Sequence, residues 1–173
     1  MALSLIEAHF PSGIAVPAEL RALCMWHGAN GYPISGGFEL RASDDEVLVH
    51  WFGCHAADDR LGVFGAGPDG SLFALWRQDD GECRVVHLGS EGQNNFVLAR
   101  SFVEFLQLLA VGYNELGFDN LQGPPEAEGI NPAFRAWVTR TFSVIVPSRG
   151  QALVSEARAA SQDFDAWIQT VIA

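Results

Sequence analysis

Three cysteine–histidine couples have the residue types and spacing for chemistry: Cys24-x-x-His27, Cys54-His55 and Cys83-x-x-x-His87. Thiolate and imidazole are ligands of tetrahedral zinc, and four such side chains complete a site. The expected elements argue the other way. Cys24 and His27 fall on the apolar stripe of an expected helix. Cys83 and His87 share one face of an expected strand, yet stand about 13 Å apart, too far to hold one ion without a bend. The same cysteines are candidates for a nucleophilic thiolate. Cys54 has no basic neighbour or helix N-terminus to activate it, and strand alternation turns Arg84 away from Cys83. These residues are therefore expected to pack, with no metal, no cofactor and no catalysis. The cysteines are three, widely spaced and without a C-x-x-C, which fits reduced thiols better than a disulfide framework.

Carboxylates form the second group. Asp44-Asp45-Glu46, Asp58-Asp59 and Asp79-Asp80 sit in segments of turn composition, where solvation gives little cause for a raised pKa. Asp44, Asp45, Glu46, Asp58, Asp59, Asp79 and Asp80 are instead the candidate partner-binding residues. Gathered at sheet edges, they would mimic a phosphate surface for a basic protein. The whole chain points the same way. Its 173 residues carry 21 acids against ten arginines and no lysine, for a net charge of −11. Such a surface repels nucleic acid and anionic lipid and attracts a basic partner. Affinity would also need an apolar anchor, for which Trp51, Phe52 and Trp76 are the aromatic candidates.

The third group is Gly65-Ala-Gly67-Pro-Asp-Gly70, a match to the G-x-G-x-x-G dinucleotide fingerprint. In that fingerprint the glycines open a helix. Here Pro68 and Asp69 are followed by "SLFALW" and then another turn, "RQDDGE". The segment therefore reads as a hairpin loop.

The elements that must position these groups follow from periodicity. "VPAELRALCMWHG" is an expected helix with Leu20, Leu23, Cys24 and His27 on one stripe, stopped by Gly28. From Phe38 to Gly89 the runs "FELRA", "EVLVHWF", "LGVF", "SLFALWR" and "CRVVHL" read as strands. Their separators are short and rich in Asp and Gly, so neighbours should be antiparallel. "ARSFVEFLQLLAVG" is an expected helix with a Ser101–Glu104 capping box and Gly112 as its stop. "NLQGPPEAEGINP" is a loop or linker. "NPAFRAWVTRTF" is a helix with Phe134, Trp137, Val138 and Thr141 on one face, and "SVIVPSRG" is a short strand or extended join. "SQDFDAWIQTVI" is the last helix. Its "FDAWIQTV" echoes "FVEFLQLL", as a shared amphipathic template does.

Apolar residues make up 49% of the chain, enough for a packed core. No apolar run is long enough to cross a bilayer. "MALSLIEAHFPSG" lacks the basic start of a signal peptide and carries Glu7 and His9, so a cytoplasmic location is expected.

The order of blocks resembles the SUKH superfamily, which includes the yeast cell-wall assembly regulator and many bacterial toxin-immunity proteins. "VPAELRALCMWHGANGY", with Asn30-Gly31, is similar to the family's opening block. "VFGAGPDGSLFALW" resembles its glycine-turn strand pair, and "VVHLGSEGQNNFVLARSFVEFLQLL" its third block. The resemblance spans Ile14 to Gly112. It implies an α+β fold, a twisted antiparallel sheet of about five to six strands with packed helices. It also implies a binding module without catalysis. Residues 1–112 would form the core domain, and 113–173 a helical extension packed on it. The expected function is an intracellular immunity protein that binds and neutralises one cognate, basic toxin domain. The alternative is a regulatory or scaffold adaptor of the same fold.

Overall fold

The computed structural model describes residues 3–43, 46–117 and 121–172. Five strands form one open antiparallel sheet in chain order: β1 (Glu39–Leu40), β2 (Leu61–Ala66), β3 (Leu72–Arg77), β4 (Cys83–Leu88) and β5 (Phe96–Ala99). Short turns between β2, β3 and β4 leave no room for a parallel crossover. In the central register Leu75 stands opposite Gly62 on one side and Val85 on the other. The register slips at Val63–Gly65 and again at Val85–Val86.

Both faces of the sheet are covered. Alternation along β3 sends Phe73 and Leu75 into one core, and Leu72, Ala74 and Trp76 into the other. A strand buried on both sides has no polar face to show, which is why "LFALW" is an unbroken apolar run. The first core joins the sheet to α1 (Leu3–Ala8), α2 (Ala18–Asn30), α4 (Phe102–Val111) and α5 (Pro132–Phe142). At its centre the Phe105 ring lies 5.2 to 5.7 Å from the rings of Phe38, Phe64, Phe73 and Phe102. The second core joins the opposite face to α3 (Val47–Phe52) and α7 (Asp163–Ile172). Helix α6 (Gln151–Ala159) packs on β5, giving Val154 to the first core and Ala157 to the second. It thereby shields an edge strand that would otherwise be open to pairing with another chain. Residues from Leu121 onward thus supply side chains to both cores.

Several expected elements form for the expected reasons. The Ser101 hydroxyl accepts from the Glu104 amide, and α4 ends at Gly112 with φ 99°. Asn131 caps α5 by accepting from the amides of Ala133 and Phe134, and Pro132 occupies the first turn, where its missing N–H costs nothing. Phe134 and Val138 are buried as expected, whereas Thr141 is exposed. Phe164, Ile168 and Val171 of α7 are buried, with Trp167 half-buried beside them. The stretch "SVIVPSRG" is an irregular join.

Other expectations are corrected. Gly28 does not stop α2, which continues to Asn30 and closes when the Gly31 amide bonds the His27 carbonyl. "EVLVHWF" is a helix rather than a strand. Val47 and Leu48 are buried, Trp51 and Phe52 pack on the same core, and the Gly53 amide closes the turn on the Val49 carbonyl. That is a helical face, and packing on the sheet overrides the strand propensity of Val, Trp and Phe. "FELRA" contributes only the two residues of β1. Strand β5 and helices α1 and α6 have no counterpart in the sequence reading.

Candidate partner-binding surface

Cys24, His27, Cys83 and His87 are packed into the fold, whereas Cys54 is half-buried and His55 is exposed. Cys24 is buried in α2, and burial raises its thiol pKa. His27 is buried on the same helix, its ring 4.2 Å from that of Tyr32, and desolvation lowers its pKa. Cys83 packs against the first core; its thiol is raised by desolvation despite Arg77 and Arg84 nearby. His87 is stacked 5.0 Å from Phe96, and its Nδ1 bonds the Asn94 carbonyl at 3.0 Å. Cys54 Sγ meets the Val171 carbonyl at 3.5 Å, which ties the start of the 53–60 loop to α7. Among the described residues no three His, Cys, Asp or Glu side chains converge to hold a metal ion.

The glycine-rich match is the β2–β3 hairpin loop. The Gly67 amide bonds the Ser71 carbonyl at 2.9 Å, and Gly70 takes φ 85°, a value that favours glycine. Burial alone would raise the Asp69 carboxyl. The amide and hydroxyl of Ser71 both donate to it, and these bonds leave it below its ordinary value. The loop is held by its own polar groups, and no helix follows it.

The acid turns meet at one end of the sheet. There β2 starts, β3 ends and β4 starts, which places Asp58 and Asp59 beside Asp79 and Asp80. Glu46 is exposed at the start of α3. Its sequence neighbours Ser43 and Leu48 wall a 330 Å³ cavity together with His9, Phe10 and Asp58. Asp44 and Asp45 lie outside the described residues. Arginines are interleaved with the acids at this end. Arg60 pairs with Asp79 at 2.8 Å, Arg84 with Glu82 at 3.1 Å, and Arg100 with both Glu104 and Glu156. Arg77 reaches the Asp59 carbonyl, Asp58 bonds His55 at 2.7 Å, and Asp80 accepts from the Glu82 amide. The surface is one of mixed charge rather than a continuous acidic face. Of the aromatic anchors, Trp76 is only 1% exposed and belongs to the core.

Among the acids that sequence reasoning passed over are Glu115, Glu126 and Glu128, all exposed. They lie in the long join between α4 and α5. A signal for them was present: between Arg100 and Arg135 the chain has no Arg, Lys or His. Among the described residues none of the three is in an ion pair.

No family model, no curated protein and no solved structure matches this chain.

Proposed function

We propose that this chain is a protein-binding module of the immunity type, which captures one basic toxin domain and blocks it without catalysis. The observation that carries this reading is the surplus of acid. Arg21, Arg60, Arg84 and Arg100 pair with Glu7, Asp79, Glu82, Glu104 and Glu156, while the chain carries 21 acids against ten arginines. The resemblance to SUKH proteins adds a second support. Its three blocks fall on α2, on the β2–β3 hairpin and on β4–β5–α4, which together enclose much of the first core. A rigid body with both sheet faces buried presents preformed surface, so little ordering free energy is lost on binding. No described helix is long and apolar enough to cross a membrane.

The test is capture from a lysate of the source cells, with elution by salt, followed by co-expression. The expected partner is a single basic protein that arrests growth when expressed alone and is harmless with this chain. A neutral or acidic partner, or a basic one whose toxicity persists, contradicts the proposal.

A further inference from the structure

The join between α4 and α5 runs for 20 residues, from Gly112 to Asn131, and its described residues include the 3-10 turn Ala127–Gly129. Most connections between elements in compact domains are only a few residues long, and longer ones are often functional. This one is fixed at both ends. The Tyr113 hydroxyl is buried. It donates to the Gly123 carbonyl at 2.6 Å, has the Leu121 carbonyl at 3.0 Å, and accepts from the Gly150 amide at 3.1 Å. Across from it, the Gly36 amide bonds the Gly129 carbonyl and the Gly37 amide the Asn114 carbonyl. The approach is so close that a Cβ on Gly36 would stand 1.8 Å from the Tyr113 carbonyl oxygen. Asn131 Nδ2 donates to the carbonyls of Pro33 and Ile34.

Two cavities adjoin along this join, of 240 and 310 Å³, sharing Asn114 and Glu126 as a common wall. Pro33 and Ile130 give the first an apolar side, and Pro124 and Pro125 do the same for the second. Glu128 lines the first cavity, Glu115 the second, and no Arg or His lines either. Each cavity lies near or below the lower end of the range for small-molecule sites, about 300 to 1,000 Å³. Two small cavities in a row suit successive long side chains of one extended segment.

From this geometry we propose that the groove is the docking site for an extended, arginine-bearing segment of the basic partner. The aliphatic stems lie on the prolines, and the guanidinium groups meet Glu115, Glu126 and Glu128. Arginine suits the site better than lysine because its planar fork donates to a carboxylate in two places. Charge complementarity selects this occupant. At the sheet end the acids are interleaved with arginines; here they are not. The inference rests on the basic-partner reading and places the contact away from the acid turns.

The test uses the full chain and a labelled nine-residue peptide of alternating Arg and Gly. Fluorescence anisotropy gives affinity, and amide chemical shifts give location. The variant Glu115→Gln/Glu126→Gln/Glu128→Gln keeps shape, and its residues have no internal ion pair to lose. The comparison variant, Asp58→Asn/Asp59→Asn/Asp79→Asn/Asp80→Asn, removes more charge, so a loss from net charge alone would be larger there. The expected result is at least tenfold weaker binding in the first variant and less than threefold in the second. Shifted amides should cluster at 113–117 and 123–131. Equal losses, or shifts centred on the acid turns, overturn the groove but leave the basic-partner reading standing. No binding to the native chain overturns the groove, and the toxin co-expression result then decides the wider reading by itself.

Discussion

The Arg60 guanidinium stands 6.0 Å from the Trp76 ring and 5.7 Å from the Trp167 ring, while its Nε donates to the Arg77 carbonyl at 2.6 Å. It therefore links α7 to the sheet as well as meeting Asp79. A partly buried cation over two aromatic faces contributes more than an exposed ion pair. Arg60→Ala should lower stability by about 2 kcal/mol in urea unfolding. Asp79→Asn should change it by less than about 0.5 kcal/mol, since the Asp79 side chain is 93% exposed. Equal effects would mean that the ion pair carries the contribution. His87 gives a pH-dependent case. Burial holds its pKa down, against smaller upward pulls from the Asn94 carbonyl and Asp69. The unfolded chain therefore takes the proton first. His87's contribution is complete above its ordinary pKa of about 6.5 and is lost as pH falls below that value. Thermal unfolding should show the midpoint dropping from pH 7 to 5.5, and dropping less in His87→Gln. His27 shifts in the same direction, so a residual slope remains. Parallel curves for the two proteins would contradict this account of His87.

Legibility differed between elements for physical reasons. Helix α4 was readable because its cap, stripe and stop are all local signals. Its capping box closes slightly differently from expectation, with Glu104 Oε2 accepting from the Arg100 amide. Ser101→Ala should cost about 1 kcal/mol, measured by urea unfolding, and a negligible change would remove the cap from the account. The β2–β3–β4 meander was readable because Asp and Gly mark each reversal. Helix α3 was not, because six residues of strand-forming composition take their conformation from the core they cover. Strand β5 has only four residues, too few to show a period. Helix α6, "QALVSEARA", carries favourable helix formers, but what decides its place is the edge of β5, which no local pattern reveals.

At the scale of the whole molecule, the excess of acid was legible in composition, and its distribution was not. Turn chemistry drew attention to the Asp pairs, yet antiparallel pairing sets arginines among them. Arg60 and Arg77 stand at the ends of β2 and β3 that also carry Asp59 and Asp79. Three exposed acids without an ion pair among the described residues, Glu115, Glu126 and Glu128, lie instead in the join between α4 and α5, whose described part is shaped by Tyr113, Gly36 and Asn131, residues far apart in sequence. The central claim is recognition of a basic partner by charge. It is tested most directly by the association rate of the captured partner with the full chain at increasing ionic strength. Steering by an acidic surface predicts a fall of about tenfold or more between roughly 0.05 M and about 0.5 M salt, with a much smaller change in the dissociation rate. An association rate that stays constant over that range would contradict it.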